Sequence, residues 1–249
     1  MTDREKNNGK NLLIVMAMLV ILIIGSIGAY FTATDEATNS FTVGKIDVEI
    51  TEPTWEALAD TDENDIPDVA EAVLPNQLIE KDPMVTNTSD ANDAFVFVKV
   101  TVPKADIYTA NIADGNKAKQ TSVTQLFQLN NADNTKAGNG KAWNGNDTFN
   151  ADSWYLIKSN TEGDDVNEYI FAYGSSTDCT VLAAGETTEE PVFSSVTFCN
   201  AISGQDLELS TQNITIEAYA IQANDLTSSD KTEPAAIWAI LSAQGSVGA

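Results

Sequence analysis

The densest group of oxygen ligands in the sequence is residues 60–71, with the sequence DTDENDIPDVAE. Calcium loops place oxygen ligands at positions 1, 3, 5, 7, 9 and 12 of a twelve-residue segment. The residues at these positions, with a main-chain carbonyl at the seventh, are Asp60, Asp62, Asn64, Ile66, Asp68 and Glu71. The spacing predicts a Ca²⁺ site in the weak extracellular range, with a solvated acidic loop as the alternative.

The loop departs from the calcium pattern at its sixth position, where Asp65 replaces the expected glycine. Aspartate tolerates a left-handed backbone at some energetic cost, so the substitution weakens the predicted site without abolishing it. The helices that flank an EF-hand loop are also missing from the pattern. The run DTDENDIPD nevertheless resembles the repeat of thrombospondin type 3 calcium modules.

Catalytic chemistry has few candidates, because the chain contains no histidine. This excludes Ser–His–Asp and Cys–His catalysis, the HExxH metalloprotease helix and histidine-ligated zinc. No other residues pair a nucleophile with a base in a recognisable pattern. We therefore predict that the protein is not an enzyme. A hydrolase that uses carboxylates alone stays open, since it needs two carboxylates at a fixed separation, which a sequence cannot show.

Two cysteines, Cys179 and Cys199, lie 20 positions apart near the ends of a strand–loop–strand segment. In an oxidising compartment an isolated pair is most simply one disulfide, worth about 3 kcal/mol if it forms without strain. Two buried free thiols are the alternative. A CxxC redox or metal motif is absent.

The net charge of −24, from 37 acidic and 13 basic residues, limits the partners of the chain. So acidic a surface repels phosphate backbones and anionic lipid headgroups, which excludes nucleic-acid binding. Cations are the natural small partners.

The N-terminal 29 residues have the pattern of an export signal. Basic residues in the first ten positions precede an unbroken apolar run of 13 residues, 12–24, and a small-residue exit at 25–29. Because spanning a bilayer takes about 20 apolar residues, the run predicts a signal peptide cut after Ala29. A cut after Gly28 and a retained anchor are the alternatives. The mature chain is then secreted, without stable membrane insertion.

Short strands with polar turns follow the signal. Residues 94–102 (AFVFVKVTV) alternate valines on one face with Phe95, Phe97 and Lys99 on the other. About eight or nine such strands predict an all-β antiparallel sandwich with short peripheral helices over residues 30–226. We predict a short helix at 122–129, a surface loop at 130–150, and a tail at 227–249 with a helix at 233–241 that packs on the sandwich.

The first strand of the mature chain, residues 40–51, becomes its free N-terminal end after cleavage. Apolar residues alternate along it with a one-step slip at Gly44, which indicates a half-buried strand with a bulge. A free strand-forming end pairs either with its own sheet or with that of another molecule.

Several segments resemble the TasA/camelysin family, exported Gram-positive proteins whose signals are removed by a SipW-type peptidase. The similar segments are SIGAYFT at 26–32, SFTVGKIDVEITEP at 40–53, LPNQLIEKDPMVTNTSDANDAFVFVKVTVP at 74–103, VLAAGETTEEPVFSSVTF at 181–198 and ITIEAYAIQA at 214–223. They cover most of residues 26–226, and they are structural motifs with no chemical signature. Family members called camelysin have been classed as metalloproteases, a role that the absence of histidine does not support.

The resemblance implies a jelly-roll sandwich that assembles into extracellular fibres of a biofilm matrix or cell surface. The partner is then another copy of the chain, and an accessory matrix or anchoring protein is a second candidate partner. The mature N-terminal strand of one subunit would complete the sheet of the next, by the logic of β-augmentation. The residues expected to fill pockets of the neighbour are Phe31, Phe41, Val43, Ile46, Val48 and Ile50. The alternative is a monomeric surface protein that binds a ligand or calcium through its loops.

Overall fold

A computed structural model describes residues 46–110, 117–119, 123–131, 143, 145–163, 165–202, 207, 212–224 and 232–243. The described residues form an all-β protein with antiparallel strand pairing, as the sequence predicts. The predicted cleavage site at Ala29 and the strand residues Phe31, Phe41 and Val43 lie outside the described residues, as does the predicted bulge at Gly44.

Twelve strands and three short helices are present in the described residues. The strands are β1 (Val48–Thr51), β2 (Leu78–Glu80), β3 (Met84–Asn87), β4 (Ala94–Ala105), β5 (Tyr108–Ala110), β6 (Lys117–Lys119), β7 (Thr124–Gln125), β8 (Phe127–Asn130), β9 (Trp154–Asn160), β10 (Val166–Tyr173), β11 (Ser195–Phe198) and β12 (Thr215–Gln222). The helices are α1 (Pro53–Glu56), α2 (Asp68–Glu71) and α3 (Pro234–Ala243).

The strands form two main layers. The larger sheet has the order β12-β4-β10-β9, with β7 paired to the end of β4. The opposite layer contains β2-β11-β8 and the pair β1-β3. Backbone hydrogen bonds from residues 186–194 to β3 and to the residues around Pro83 continue this layer between the two groups. The small hairpin β5-β6 is a separate pair, and β5 makes backbone hydrogen bonds to residues 200–202, just after β11.

Strand β4 determines where the two hydrophobic clusters form. Its even-numbered residues from Ala94 to Val102 are fully buried in the main cluster, together with residues of the opposite layer such as Val85 and Leu129. Phe95 and Phe97 point to the other face and pack in a second cluster under α3. The alternation predicted for residues 94–102 is therefore confirmed.

Helix α3 covers the outer face of the larger sheet. Its residues Ile237 and Leu241 are buried against Phe95, Phe97 and Ile221. A proline at its first position suits a helix start, because the missing N–H has no intrahelical partner there. The predicted packing of a C-terminal helix on the sheet is confirmed.

The predicted helix at 122–129 is wrong, since this segment forms β7 and β8. Phe127–Asn130 pairs in register with β11, and every residue of β8 is buried. A helix would have left Gln128 on a solvent-facing side, whereas its side chain is buried and hydrogen-bonded to Asn130. Tertiary pairing therefore overrode a local pattern that fits both periods.

The prediction of a surface loop at 130–150 is wrong at its first residue, which belongs to β8, whereas residues 145–150 have no regular secondary structure. Asn130 is fully buried, and Trp143 and Phe149 pack against the main cluster. Residues 132–142 lie outside the described residues. Pro83 separates two strands, since β2 ends before it and β3 begins after it, and a proline cannot donate to a strand ladder.

Candidate functional site

The edge formed by β12 and β1 is the surface where the structure bears on strand exchange. Strand β12 pairs with β4 over eight consecutive positions without a register shift. In the described part of the chain, β4 is its one hydrogen-bonded neighbour. Strand β1 of the opposite layer contacts β12, but the two strands share no ladder among the described residues.

The inner face of β12 is only half covered. Its residues Ile216, Ala218 and Ala220 pack against the main cluster yet remain partly exposed, as does Ile214 just before the strand. By contrast, the valines at the centre of β4 have no exposed surface. A partly open row of small and branched apolar side chains along an edge can accept the alternate side chains of an added strand.

Three of the predicted exchange residues are described, two in β1 and one, Ile46, just before it. Ile46, Val48 and Ile50 are partly buried and pack against the main cluster of their own molecule. Strand β1 pairs with β3, with Val48 opposite Asn87 and Thr51 opposite Met84. The part of the N-terminal strand that the structure describes is thus paired within its own subunit.

A group of polar contacts lies directly after β1. Lys81 Nζ lies 2.7 Å from Glu52 Oε2 and 4.4 Å from the centre of the Trp55 ring. The Asp82 carboxylate accepts hydrogen bonds from the backbone N–H groups of Thr54 and Trp55, which cap α1. These contacts fix the end of β1 against the residues that link β2 to β3.

The predicted calcium loop has part of the required geometry. Asp60 accepts hydrogen bonds from the backbone N–H groups of Asn64 and Asp65. Asp65 has a positive φ of 66°, the left-handed conformation expected at the sixth position. The Asn64 amide donates to Asp62 and, at 2.7 Å, to Glu71.

Other features of the loop do not match a complete site. Asp68 accepts from the backbone and hydroxyl of Thr61. The described residues contain no group of three or more acidic or cysteine side chains placed to hold a metal. Desolvation and the nearby Glu71 carboxylate raise the pKa of Asp62. Calcium binding by Asp60, Asp62, Asn64, Asp68 and Glu71 stays a prediction.

The predicted disulfide between Cys179 and Cys199 is wrong for this structure, in which both are free, buried thiols. Cys179 belongs to the cluster under α3, and Cys199 belongs to the main cluster on the other side of the sheet. Burial raises the pKa of each thiol to about 12. Because the thiolate is the reactive form, neither cysteine is a candidate nucleophile.

A buried polar group around Asp147 was missed by the sequence reasoning. Asp147 Oδ1 accepts hydrogen bonds from the Leu129 N–H and the Gln125 amide, each at 2.9 Å. The hydroxyl oxygen of Tyr169 lies 2.7 Å from Asp147 Oδ2 and 2.7 Å from Gln125 Oε1. Asn167 donates to the same Gln125 oxygen, and its own Oδ1 is buried without a hydrogen-bond partner. These residues come from distant parts of the chain, so no local pattern could indicate them.

In the residues that the structure describes, no helix combines the length and the hydropathy needed to cross a membrane. Comparisons of the chain with family models, with curated proteins and with solved structures give no match.

Proposed function

We propose that the protein is a secreted structural subunit of extracellular fibres, which assembles when the N-terminal strand of one copy pairs with the β12 edge of the next. The observation that carries this proposal is the partly exposed apolar row Ile216, Ala218 and Ala220 along a strand that has one described neighbour. The resemblance of the sequence to TasA/camelysin proteins supports the same function.

A jelly roll is the finer architecture that we propose for the two layers. The chain passes from the β1-β3 layer into β4, returns for β8, enters β9 and β10, returns for β11, and ends in β12. Repeated crossing between two antiparallel layers is typical of jelly rolls and other Greek-key sandwiches. In such a fold the edges of both layers meet at the sides, where an additional strand can extend either one.

The donor strand in this proposal is residues 30–43, the part of the mature N-terminus that precedes β1. An added strand gains a row of main-chain hydrogen bonds, while alternate side chains enter the apolar row of the acceptor. Phe41 and Val43 have the spacing needed for one face of that strand. A contact between different surfaces of successive copies does not close on itself, so it extends into a filament.

The proposal is tested by comparing chains that begin at Tyr30 and at Gly44. We expect the longer chain to form fibres that are visible by electron microscopy, and the shorter chain to sediment as a monomer at the same concentration. The physical reason is that the shorter chain keeps the acceptor edge but lacks the donor strand.

A chain beginning at Tyr30 with Phe41→Ser and Val43→Ser is the matched control, because it keeps the length and backbone of the donor. We expect it to form few or no fibres. Fibres formed equally well by the chain that begins at Gly44 would refute strand donation by residues 30–43.

The alternative function is a monomeric surface protein with a calcium-binding loop. It is supported by the left-handed backbone conformation of Asp65 and by the two backbone N–H groups that donate hydrogen bonds to Asp60. If the loop binds calcium, millimolar Ca²⁺ raises the melting temperature of the chain that begins at Gly44, and Asp62→Ala with Asp68→Ala removes the shift. Magnesium at the same concentration is the control for ionic strength. An unchanged melting temperature in calcium would rule out calcium binding by this loop.

A further inference from the structure

The hydrogen bonds around Asp147 contain one proton too few if its carboxyl group is ionised. Gln125 Nε2 lies 2.7 Å from the Phe127 carbonyl oxygen, which can only accept a hydrogen bond. This contact sets the orientation of the Gln125 amide, so its Oε1 faces the Tyr169 hydroxyl. The other contacts of that hydroxyl are Asp147 Oδ2, at 2.7 Å, and the Asn167 side-chain amide, which donates to it at 3.4 Å.

The Tyr169 hydroxyl carries one proton but lies 2.7 Å from two oxygen atoms. If Asp147 were ionised, both atoms would be acceptors, and one short oxygen–oxygen contact would have no proton between its atoms. A proton on Asp147 Oδ2 removes the conflict. Asp147 then donates to Tyr169, and Tyr169 donates to Gln125.

We propose that Asp147 is protonated in the folded protein and that its hydrogen bonds hold residues 145–149 against the edge of β8 in a pH-dependent way. Leu129 in β8 donates its N–H to Asp147, and the Leu129 carbonyl accepts from the Thr148 N–H at 2.8 Å. Asn131 donates its N–H to the Thr148 hydroxyl. Residues 147 and 148 thus occupy the edge of β8 that faces away from β11.

Two effects of the surroundings of Asp147 oppose each other: burial, the larger one, favours the neutral carboxyl group, whereas the hydrogen-bond donors around it favour the ionised form. The groups that contact it are the Gln125 amide from β7, the Leu129 N–H from β8 and the Tyr169 hydroxyl from β10, and only the hydroxyl titrates. Burial raises the pKa of Asp147. Burial also raises the pKa of Tyr169, which therefore keeps its proton. Loss of the Asp147 proton restores the oxygen–oxygen conflict and loosens the segment.

The experiment is an NMR titration of the Asp147 carboxyl carbon in the full chain, in the wild type and in Tyr169→Phe. The proposal makes Tyr169 the acceptor of the acid proton, so removing its hydroxyl lowers the Asp147 pKa by about one unit. If Tyr169 instead donates to an ionised carboxylate, the substitution raises the pKa. A raised or unchanged pKa in Tyr169→Phe would overturn the proposal.

Asp147→Asn gives a second test that does not depend on the stability of Tyr169→Phe. The asparagine amide keeps an oxygen for Leu129 and Gln125 and has an N–H for Tyr169, so it imitates the protonated acid without titrating. The measurement is hydrogen-exchange protection of the Leu129 and Thr148 amides, corrected for the intrinsic effect of pH. Protection falls in the wild type as the pH rises through the Asp147 titration, and it stays constant in Asp147→Asn. Equal pH dependence of this protection in both chains would contradict a role of the Asp147 proton in holding residues 145–149 against β8.

Discussion

Strands β9 and β12 form the two edges of the same sheet, and their exposed sides differ in the features that control pairing. The end of β9 is polar and exposed at Lys158, Ser159 and Asn160, and its pairing with β10 shifts register between Ile170 and Phe171. Strand β12 pairs without a shift over its whole length. Lysines and irregular pairing are common devices that prevent an edge from accepting another strand.

The two edges also differ in their apolar side chains. Along β12 the inner residues alternate as Ile216, Ala218 and Ala220, all partly exposed, whereas Trp154 at the start of β9 is fully buried and donates its indole N–H to Glu190. Leu156 and Ile157 of β9 are partly exposed too, but they lie in a strand whose pairing is irregular and whose end is polar and charged. Strand β12 combines regular pairing with an accessible apolar row. If the proposed strand donation occurs, this comparison favours β12 as the accepting edge.

The strongest test of the difference between β9 and β12 places the same charge on each of these edges. Ala218→Lys puts an ammonium group in the row that the donor strand would cover, and burying an unpaired charge costs several kcal/mol. We expect Ala218→Lys to abolish fibres of the chain that begins at Tyr30, by electron microscopy and sedimentation. Its monomer should unfold within a few degrees of wild type, since a long lysine side chain can reach solvent from a partly exposed position.

Ser159→Lys is the matched control, because it adds the same charge to an exposed position of β9. We expect wild-type fibres from it. Fibres that are lost in Ser159→Lys and kept in Ala218→Lys would show that β9 is the accepting edge.

The β-sheet character of the protein was predictable where the sequence of a single strand alternates clearly between apolar side chains on its two faces. Residues 94–102 alternate strictly, and β-branched valines on one face with aromatic residues on the other leave no competing period. The C-terminal helix was predictable for a similar reason, since Pro234 marks its start and apolar residues fill the next two turns. Local patterns of this kind are sufficient when they agree with the tertiary contacts.

Other features depend on contacts between distant residues. The segment 123–129 has apolar residues at spacings that fit a helix or a strand, and only its pairing with β11 decides between them. The spacing of Cys179 and Cys199 says nothing about which face of the sheet each one occupies. The Asp147 group joins a loop residue to Gln125, Asn167 and Tyr169. Its members are ordinary surface residue types until the fold buries them.

Helix α3 provides a second test of the difference between the edges, because it covers the outer face beside β12. Ile237 is fully buried against the β4 phenylalanines and Ile221 of β12. We expect Ile237→Ala to lower the free energy of unfolding by about 2–4 kcal/mol in urea, from the lost side chain and the cavity that it leaves. Native-state hydrogen exchange should become faster in β12, with little change in β9.

A conservative variant separates packing from a general loss of the helix. Ile237→Val removes one methylene group, and its expected cost is about 1 kcal/mol. Equal increases in exchange at β9 and β12 would contradict a selective effect of α3 on the β12 edge.

The smallest expected effect concerns the charges that link the two halves of the sheet. Lys99 in β4 lies 2.8 Å from Glu168 of β10, on the β9 side, and 3.9 Å from Glu217 of β12. The hydrogen bond from Lys99 is the main cause that lowers the pKa of Glu168 below its ordinary value of 4.5. The ion pair is therefore asymmetric, and we expect Glu168→Gln to cost more stability than Glu217→Gln. Because Glu168 is partly exposed, the cost is about 0.2–1 kcal/mol.

The dependence of this cost on pH follows from the lowered pKa of Glu168. The ionised carboxylate binds its proton less tightly in the folded protein than in the unfolded chain, so its stabilising effect is complete above the ordinary value of 4.5. The effect is lost as the pH falls through the lower folded pKa. Urea unfolding of wild type and Glu168→Gln should therefore differ at neutral pH and converge below that pKa. A constant difference across this range would show that the glutamate acts through packing, and the two edges would then be distinguished by their apolar surfaces alone.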